Sequence, residues 1–189
     1  MQRADHDLAF MLQYENIAWY EDGKVKILDR RIYPARVEFV TCGTHQEVAQ
    51  AITDMVTQSA GPYTAVPMGM ALAAHECRDK TAAEQMEYLR KAAHTISHAR
   101  PTTVKRMALL CDLCLAEAER ALAAGEDTAQ AIVNKTVELN NTRYERVAKI
   151  GKYLVDLFPE NGTVMTHCFA ETIVGMMLRE CSERGKHIR

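Results

Sequence analysis

The sequence has no hydrophobic run long enough to cross a membrane and no recognisable signal peptide at its N-terminus. The short apolar run from Leu8 to Leu12 follows the acidic residues Asp5 and Asp7. A spanning helix needs about 20 apolar residues, and a signal peptide has a basic start followed by an apolar stretch. We therefore expect a cytoplasmic protein that has no membrane partner.

Clustered positive charge is also missing. The 23 lysines and arginines are outnumbered by 25 aspartates and glutamates, the formal net charge is −2, and no run is rich in lysine or arginine. Because proteins that hold nucleic acid electrostatically carry a basic patch or stripe, the composition argues against a nucleic-acid partner. The chain of 189 residues, 48% of them hydrophobic, is long enough for one domain or a domain and a half.

The cysteines lack the spacing of a disulfide framework or of a zinc site. Six cysteines in a chain of this length indicate free thiols in a reducing compartment. One CxxC occurs, from Cys111 to Cys114, but no second CxxC or histidine pair follows at finger-like spacing. We predict that this pair packs in a helical core. His94 and His98 are four residues apart without a third ligand nearby, so no metal site is predicted.

What the sequence does contain is a β-rich start followed by helices. Ile17–Tyr20 and Lys24–Leu28 flank a turn with glycine, which predicts a hairpin, and a third strand is predicted over Val37–Val40. Capping-box patterns at Thr44 and Thr81 each predict the start of a helix. Further helices are predicted from about Val66 to His75, from about Thr103 to Ala124, and from Asp127 or Thr128 to about Phe158.

The segment from Asn161 to Thr172 predicts a turn, a short buried strand and a helix, with Cys168 in the loop before the helix. Asn161-Gly162 is a turn dipeptide, and Thr163–Thr166 has the composition of a parallel strand. Ligands of open α/β sheets bind beyond the carboxyl ends of the strands, where a helix N-terminus makes a thiol more acidic and reactive. The alternative is that Cys168 is a small apolar residue of the core.

The last residues, His187-Ile188-Arg189, resemble the start of a further strand. A single strand followed by one helix cannot form a parallel sheet, because each strand edge needs a partner. We therefore expect the chain to be the N-terminal portion of a longer protein, or a product nicked at this point.

Four segments resemble the S-methyl-5-thioribose-1-phosphate isomerase family. They are residues 17–34 (IAWYEDGKVKILDRRIYP), 69–74 (GMALAA), 99–104 (ARPTTV) and 164–168 (VMTHC), and the Thr-His-Cys match is the most specific. The wider superfamily includes ribose-1,5-bisphosphate isomerases and the regulatory subunits of the guanine-nucleotide exchange factor for translation initiation.

The resemblance implies an α+β fold followed by an α/β fold. It divides the chain into a small β segment at 1–43, a helical domain at 44–160, and the start of a Rossmann-like catalytic domain at 161–189. The implied protein is a homodimer that converts a 1-phosphorylated aldopentose into its ketose 1-phosphate without a metal or organic cofactor. Cys168 matches the catalytic cysteine and Arg100 a phosphate-binding arginine, whereas the partner aspartate lies beyond Arg189. We expect the 189-residue chain alone to be inactive.

Two segments depart from the family pattern. Where relatives commonly have Arg-Gly-Ala-Pro, this chain has Gln58-Ser59-Ala60-Gly61, so Gln58 replaces an arginine expected to contact the substrate. Losing that charge-assisted hydrogen bond costs roughly 1.5–3 kcal/mol. Cys168 is followed by Phe169-Ala170-Glu171, and Glu171 at a helix start would repel a bound phosphate. These departures favour the alternative of a non-catalytic regulatory or metabolite-binding subunit, whereas Cys168 favours the enzyme.

Overall fold

Seven α-helices and two small sheets form the part of the chain that the structure, a computed structural model, describes, residues 3–189. Contacts between residues divide it into two units. The first is Tyr14–Glu138, and the second combines residues 3–13 with Leu139–Arg189. The sequence-based division near residues 43 and 160 stays a prediction. No helix within residues 3–189 is long and apolar enough to cross a membrane.

The first unit begins with a helical turn and a three-stranded antiparallel sheet. These elements are α1 (Tyr14–Ile17), β1 (Ala18–Glu21), β2 (Lys24–Leu28) and β3 (Phe39–Cys42), and the strand order is β1-β2-β3. The predicted hairpin is confirmed. Asp22 and Gly23, which connect β1 and β2, have φ values of 48° and 73°. Positive φ at both positions is the geometry that two-residue hairpins favour.

The third strand begins two residues later than the sequence predicts. Leu28, the last residue of β2, pairs with Phe39, the first residue of β3. Val37 lies outside the ladder and is 55% exposed. The prediction placed Val37 in the strand because the residue is β-branched, whereas the bounds of the strand are set by the length of its partner.

Four helices and the first part of a fifth complete this unit. They are α2 (His45–Thr53), α3 (Pro62–Glu76), α4 (Ala82–Ser97), α5 (Val104–Ala124) and α6 (Thr128–Val155), with a 3₁₀ turn at Pro101–Thr103. Helix α3 begins four residues earlier than predicted because Pro62 occupies its first turn, where proline is favoured. Helix α5 ends as predicted at Gly125, which has a left-handed backbone.

The two predicted capping boxes differ in detail. At Thr81 the box is complete, since its side chain accepts from the Glu84 N–H and the Glu84 carboxylate accepts from the Thr81 N–H. At Thr44 the side chain accepts from the Glu47 N–H, but the Glu47 carboxylate accepts from the Gly43 N–H instead. Both threonines therefore begin helices, as the sequence predicts.

The core of the first unit contains the CxxC pair. Cys111 and Cys114 are 2% and 1% exposed on the inner face of α5, in one cluster with Leu89 and Ile96 of α4. The prediction that this pair packs in the core is confirmed.

The second unit contains the end of α6 and a strand, helix and strand. These elements are β4 (Asn161–Gly162), α7 (Glu171–Glu183) and β5 (His187–Ile188), and β4 pairs with β5 in parallel. The predicted second strand at His187 is confirmed. The prediction of a turn at Asn161-Gly162 and a strand at Thr163–Thr166 is wrong, because the pairing with β5 is centred on Asn161 and Gly162. It extends only to the bond from the Val164 N–H to the Arg189 carbonyl.

The N-terminal segment is fixed to α6 and α7 within this unit. The Asn141 side chain accepts from the Ala4 N–H at 3.0 Å, and the Tyr144 hydroxyl donates to the Leu12 carbonyl at 2.8 Å. A Cβ on Gly175 of α7 would lie 2.5 Å from Leu12, so glycine permits this close approach. Val155, Met177 and Cys181 form the adjacent buried cluster.

Candidate functional site

Cys168 lies in the loop between β4 and α7, with its side chain exposed. Ala170, the N-cap residue of α7, lies two residues after Cys168. The Ala170 N–H donates to the Cys168 carbonyl at 2.8 Å. A thiol at this position can reach a bound molecule, which a core residue cannot do. The alternative that Cys168 fills the core does not agree with this exposure.

The other five cysteines of residues 3–189 are buried. Burial raises the pKa of Cys42 to about 11 and that of Cys111 to about 12, and it also raises the pKa of Cys77 and of Cys114. Because the thiolate is the reactive form, these four thiols are unsuited to acid/base or nucleophilic chemistry near neutral pH.

Arg100 lies at the junction between α4 and α5. Its backbone is extended, and its carbonyl accepts from the Thr103 N–H at 3.1 Å, which closes the 3₁₀ turn that leads into α5. The Arg100 side chain is partly exposed, and its guanidinium makes no ion pair or hydrogen bond with any of the residues 3–189. The cation is thus held at a helix junction, and residues 3–189 place no counter-charge against it.

The N-terminus of α5 has the properties of an anion site. Its first turn contains no acidic residue, and the preceding Thr103 makes no side-chain cap. The backbone N–H groups of a helix start carry partial positive charge, which favours a phosphate over a cation. The exposed cations Lys105 and Arg106 lie in this same turn. This concentration of positive charge supports binding of an anion.

The Gln58–Gly61 segment connects α2 to α3. The Gln58 amide donates to the Met55 carbonyl at 3.1 Å, and Ser59 has a positive φ of 53°. A Cβ on Gly61 would overlap the Thr57 hydroxyl, so a larger residue at this position would require the Thr57 side chain to move. The segment is therefore a tightly specified turn, and Gln58 adds a neutral side chain to it.

Two hydrogen bonds within the first unit join residues that flank this turn to residues that flank Arg100. The Thr53 hydroxyl at the end of α2 donates to the Ala99 carbonyl at 2.9 Å. The Arg106 Nε donates to the Tyr63 hydroxyl at 2.8 Å. Arg100 and Gln58–Gly61 therefore belong to connected segments of the Tyr14–Glu138 unit, whereas Cys168 belongs to the second unit. Sequence reasoning missed Arg106, although three cations within residues 100–106 were a visible signal.

Two residues near Cys168 have different environments. His167 is exposed in the same bend. Glu171, the first residue of α7, is 5% exposed, so its carboxylate is directed into the unit and away from solvent. It is among the acidic groups, with Asp5, that reinforce the effect of burial in raising the pKa of Tyr144.

The His94 and His98 rings stack at the end of α4, with their centres 4.1 Å apart. The Nδ1 atom of His98 is 2.9 Å from the His94 carbonyl oxygen. Within residues 3–189 no group of three histidine, cysteine or acidic side chains is arranged to hold a metal. The stacked pair packs at the C-terminal end of α4.

Comparisons with known proteins agree with the resemblance. The sequence model of the initiation factor 2 subunit family matches residues 61–189, which include Arg100 and Cys168. The putative methylthioribose-1-phosphate isomerase of Archaeoglobus fulgidus is 28% identical over 185 residues, which cover 90% of this chain and 52% of that protein. The methylthioribose-1-phosphate isomerase of Carboxydothermus hydrogenoformans is 31% identical over 156 residues, which cover 80% of this chain and 44% of that protein.

A solved structure shares the fold. The translation initiation factor eIF-2B subunit delta from A. fulgidus has a TM-score of 0.72 at 25% identity, and the match covers 92% of this chain and 53% of that one. The chain spans about half the length of the relatives that it matches. Because the family model extends over more than half of the residues, this chain belongs to the initiation factor 2 subunit family.

Proposed function

We propose that this chain contributes to a sugar-phosphate isomerase that acts on a 1-phosphorylated aldopentose, such as S-methyl-5-thioribose 1-phosphate or ribose 1,5-bisphosphate. The observation that carries the proposal is the exposed Cys168 thiol in the loop before α7, in a chain whose other five cysteines are buried. The relatives named as methylthioribose-1-phosphate isomerases support the same reaction class.

In this proposal Cys168 is one of two acid/base groups. The reaction breaks the ring bond between C1 and O4, moves the hydrogen on C2 to C1 and moves the proton of the C2 hydroxyl to O4, which leaves a carbonyl at C2 and the phosphate on C1. The transfer needs groups that accept and return protons in a pocket from which water is excluded. The resemblance assigns the second group to an aspartate beyond Arg189. No metal or organic cofactor takes part.

Arg100 is proposed to bind the substrate phosphate. A planar guanidinium can donate two parallel hydrogen bonds to phosphate oxygens, and the start of α5 adds backbone N–H groups. The absence of any counter-charge for Arg100 within residues 3–189 supports this role. The turn Gln58–Gly61 is proposed to border the same phosphate site.

The larger architecture is also proposed from the resemblance. The order of β4, α7 and the parallel β5 supports residues 161–189 as the start of a Rossmann-like domain. We propose that the protein is a cytoplasmic homodimer and that the 189-residue chain is inactive by itself, since the relatives are about twice as long.

A second candidate is a non-catalytic subunit that binds a phosphorylated metabolite. The Gln58 side chain supports it, because it is neutral and already bonded to the Met55 carbonyl. The fold shared with an initiation factor eIF-2B delta subunit is consistent with it. An aspartate in the corresponding loop beyond residue 189 would favour the enzyme over this candidate.

Turnover of S-methyl-5-thioribose 1-phosphate by the full-length protein, with and without Cys168→Ser, tests the proposal. The substitution removes an acid/base thiol while keeping its size, so we expect turnover to fall by at least 100-fold. Met165→Leu, a change at a fully exposed side chain three residues earlier, is the matched control. Equal turnover by wild type and Cys168→Ser would refute the catalytic role, and absence of turnover in both would favour the regulatory subunit.

A further inference from the structure

We propose that Arg106 is a second cation of the substrate's phosphate site, beside Arg100, and that Tyr63 positions it. This inference rests on the proposed function, because it concerns the same anion. Two observations support it: the contact between Arg106 of α5 and Tyr63 of α3, and the lack of an acidic residue in the first turn of α5.

Arg106 is anchored through one edge of its guanidinium. Its Nε donates to the Tyr63 hydroxyl at 2.8 Å, and its Cζ lies 5.3 Å from the centre of the Tyr63 ring. Neither terminal nitrogen of Arg106 bonds to any residue in the described range 3–189. An arginine fixed at Nε retains two terminal nitrogens whose spacing matches two phosphate oxygens.

The contact between Arg106 and Tyr63 joins the start of α5, which follows Arg100, to the start of α3, which follows the Gln58–Gly61 turn. Tyr63 is the second residue of α3 and lies two residues after Gly61, the end of the turn, whereas Arg106 is the third residue of α5 and follows Arg100 by six positions. The Arg106 guanidinium is thereby held against Tyr63, two residues beyond the turn in which Gln58 brings no charge.

The position of Arg106 is electrostatically adverse without an anion. A cation in the first turn of a helix faces the positive end of the helix dipole. Helix α5 has neither an acidic residue in that turn nor a side-chain cap, and no carboxylate within residues 3–189 pairs with Arg100 or Arg106. A doubly charged phosphate supplies the missing counter-charge for both guanidinium groups and is favoured at the positive end of the helix dipole.

The alternative is that Arg106 only ties α5 to α3. A structural tie would affect the melting temperature, whereas a phosphate ligand would affect KM. The test therefore measures both in the full-length protein for Arg106→Leu and for Tyr63→Phe, which keeps the cation but removes its anchor. Arg90→Leu, which removes an exposed α4 arginine that makes no ion pair within residues 3–189, is the charge-matched control.

We expect Arg106→Leu to raise KM for S-methyl-5-thioribose 1-phosphate by about 10-fold to 100-fold, since a hydrogen bond to a charged group is lost. The change in kcat should stay within about threefold, because the phosphate is bound before and during the reaction. Tyr63→Phe should raise KM by a smaller factor, and Arg90→Leu should leave KM unchanged.

The outcomes separate this inference from the proposed function. If Cys168→Ser abolishes turnover but Arg106→Leu keeps the wild-type KM, the inference is overturned and the proposed function stands. If the wild type has no turnover, the test measures how much inorganic phosphate raises the melting temperature of the wild type and of each variant. A rise that Arg106→Leu loses and Arg90→Leu retains supports the inference. An equal rise in both variants, or no rise in the wild type, overturns it.

Discussion

Cys168 and the buried cysteines show how local environment assigns different chemistry to one residue type. The CxxC pair has a spacing that is often associated with metals or redox reactions, yet Cys111 and Cys114 are packed between helices and the pKa of each thiol is raised. Cys168 has no such spacing and is exposed. Exposure and position before a helix make Cys168 the candidate residue, whereas the CxxC spacing alone would have pointed to two buried thiols.

We expect the buried Tyr144 to make the stability of the fold depend on pH at alkaline values. Its side chain is completely buried and its hydroxyl donates to the Leu12 carbonyl, and burial raises its pKa to about 12. In the unfolded chain a tyrosine loses its proton near pH 10. The contribution of Tyr144 to stability is therefore complete below pH 10 and is lost as the pH rises towards 12.

We expect Tyr144→Phe to lower the free energy of unfolding by about 1 kcal/mol at pH 8, through loss of the hydrogen bond. At pH 11 the wild type should have lost about 1 kcal/mol through the shifted pKa, so the two proteins should become nearly equal. Urea unfolding at the two pH values measures this. Tyr153→Phe, at an exposed tyrosine of α6, should match the wild type throughout. A difference that is constant between pH 8 and 11 contradicts the assignment.

At the scale of elements, the first helical turn of α4 depends on its capping box. Thr81→Ala removes the side-chain acceptor of the Glu84 N–H and the hydroxyl donor to its carboxylate. We expect a loss of about 1 kcal/mol in the free energy of unfolding. Thr95→Ala on the same helix removes only a bond from an exposed hydroxyl to the Lys91 carbonyl, and should change stability by less than about 0.5 kcal/mol. Equal losses in the two variants would show that the cap has no special role.

The elements that the sequence predicts well are those specified by nearby residues. The hairpin at Asp22-Gly23, the caps at Thr44 and Thr81 and the helix end at Gly125 each depend on a few neighbouring positions. The sequence prediction placed this strand at Thr163–Thr166 instead of at β4. The reason is that β4 is fixed by pairing with a strand 26 positions away, as the pair Asn161 and His187 shows. Local propensity cannot specify a register that a distant backbone supplies.

At the scale of the whole molecule, the two contact units do not follow chain order, because residues 3–13 belong with Leu139–Arg189. The sequence identified Arg100 and Cys168 through short motifs, one in each unit. It did not identify Arg106, because the role proposed for that residue depends on Tyr63, which is 43 positions away and is brought close by the packing of α5 on α3. Residues that act through a tertiary contact carry no local motif.

Substrate protection of Cys168 in the full-length protein tests whether this thiol lies in the proposed sugar-phosphate site. We expect iodoacetamide to alkylate Cys168 before the five buried cysteines, and turnover to fall in step with that modification, as followed by peptide mass spectrometry. Saturating S-methyl-5-thioribose 1-phosphate should slow the alkylation at least 10-fold. Alkylation of Cys168 at an unchanged rate with substrate present, or full turnover after its complete modification, would contradict the account.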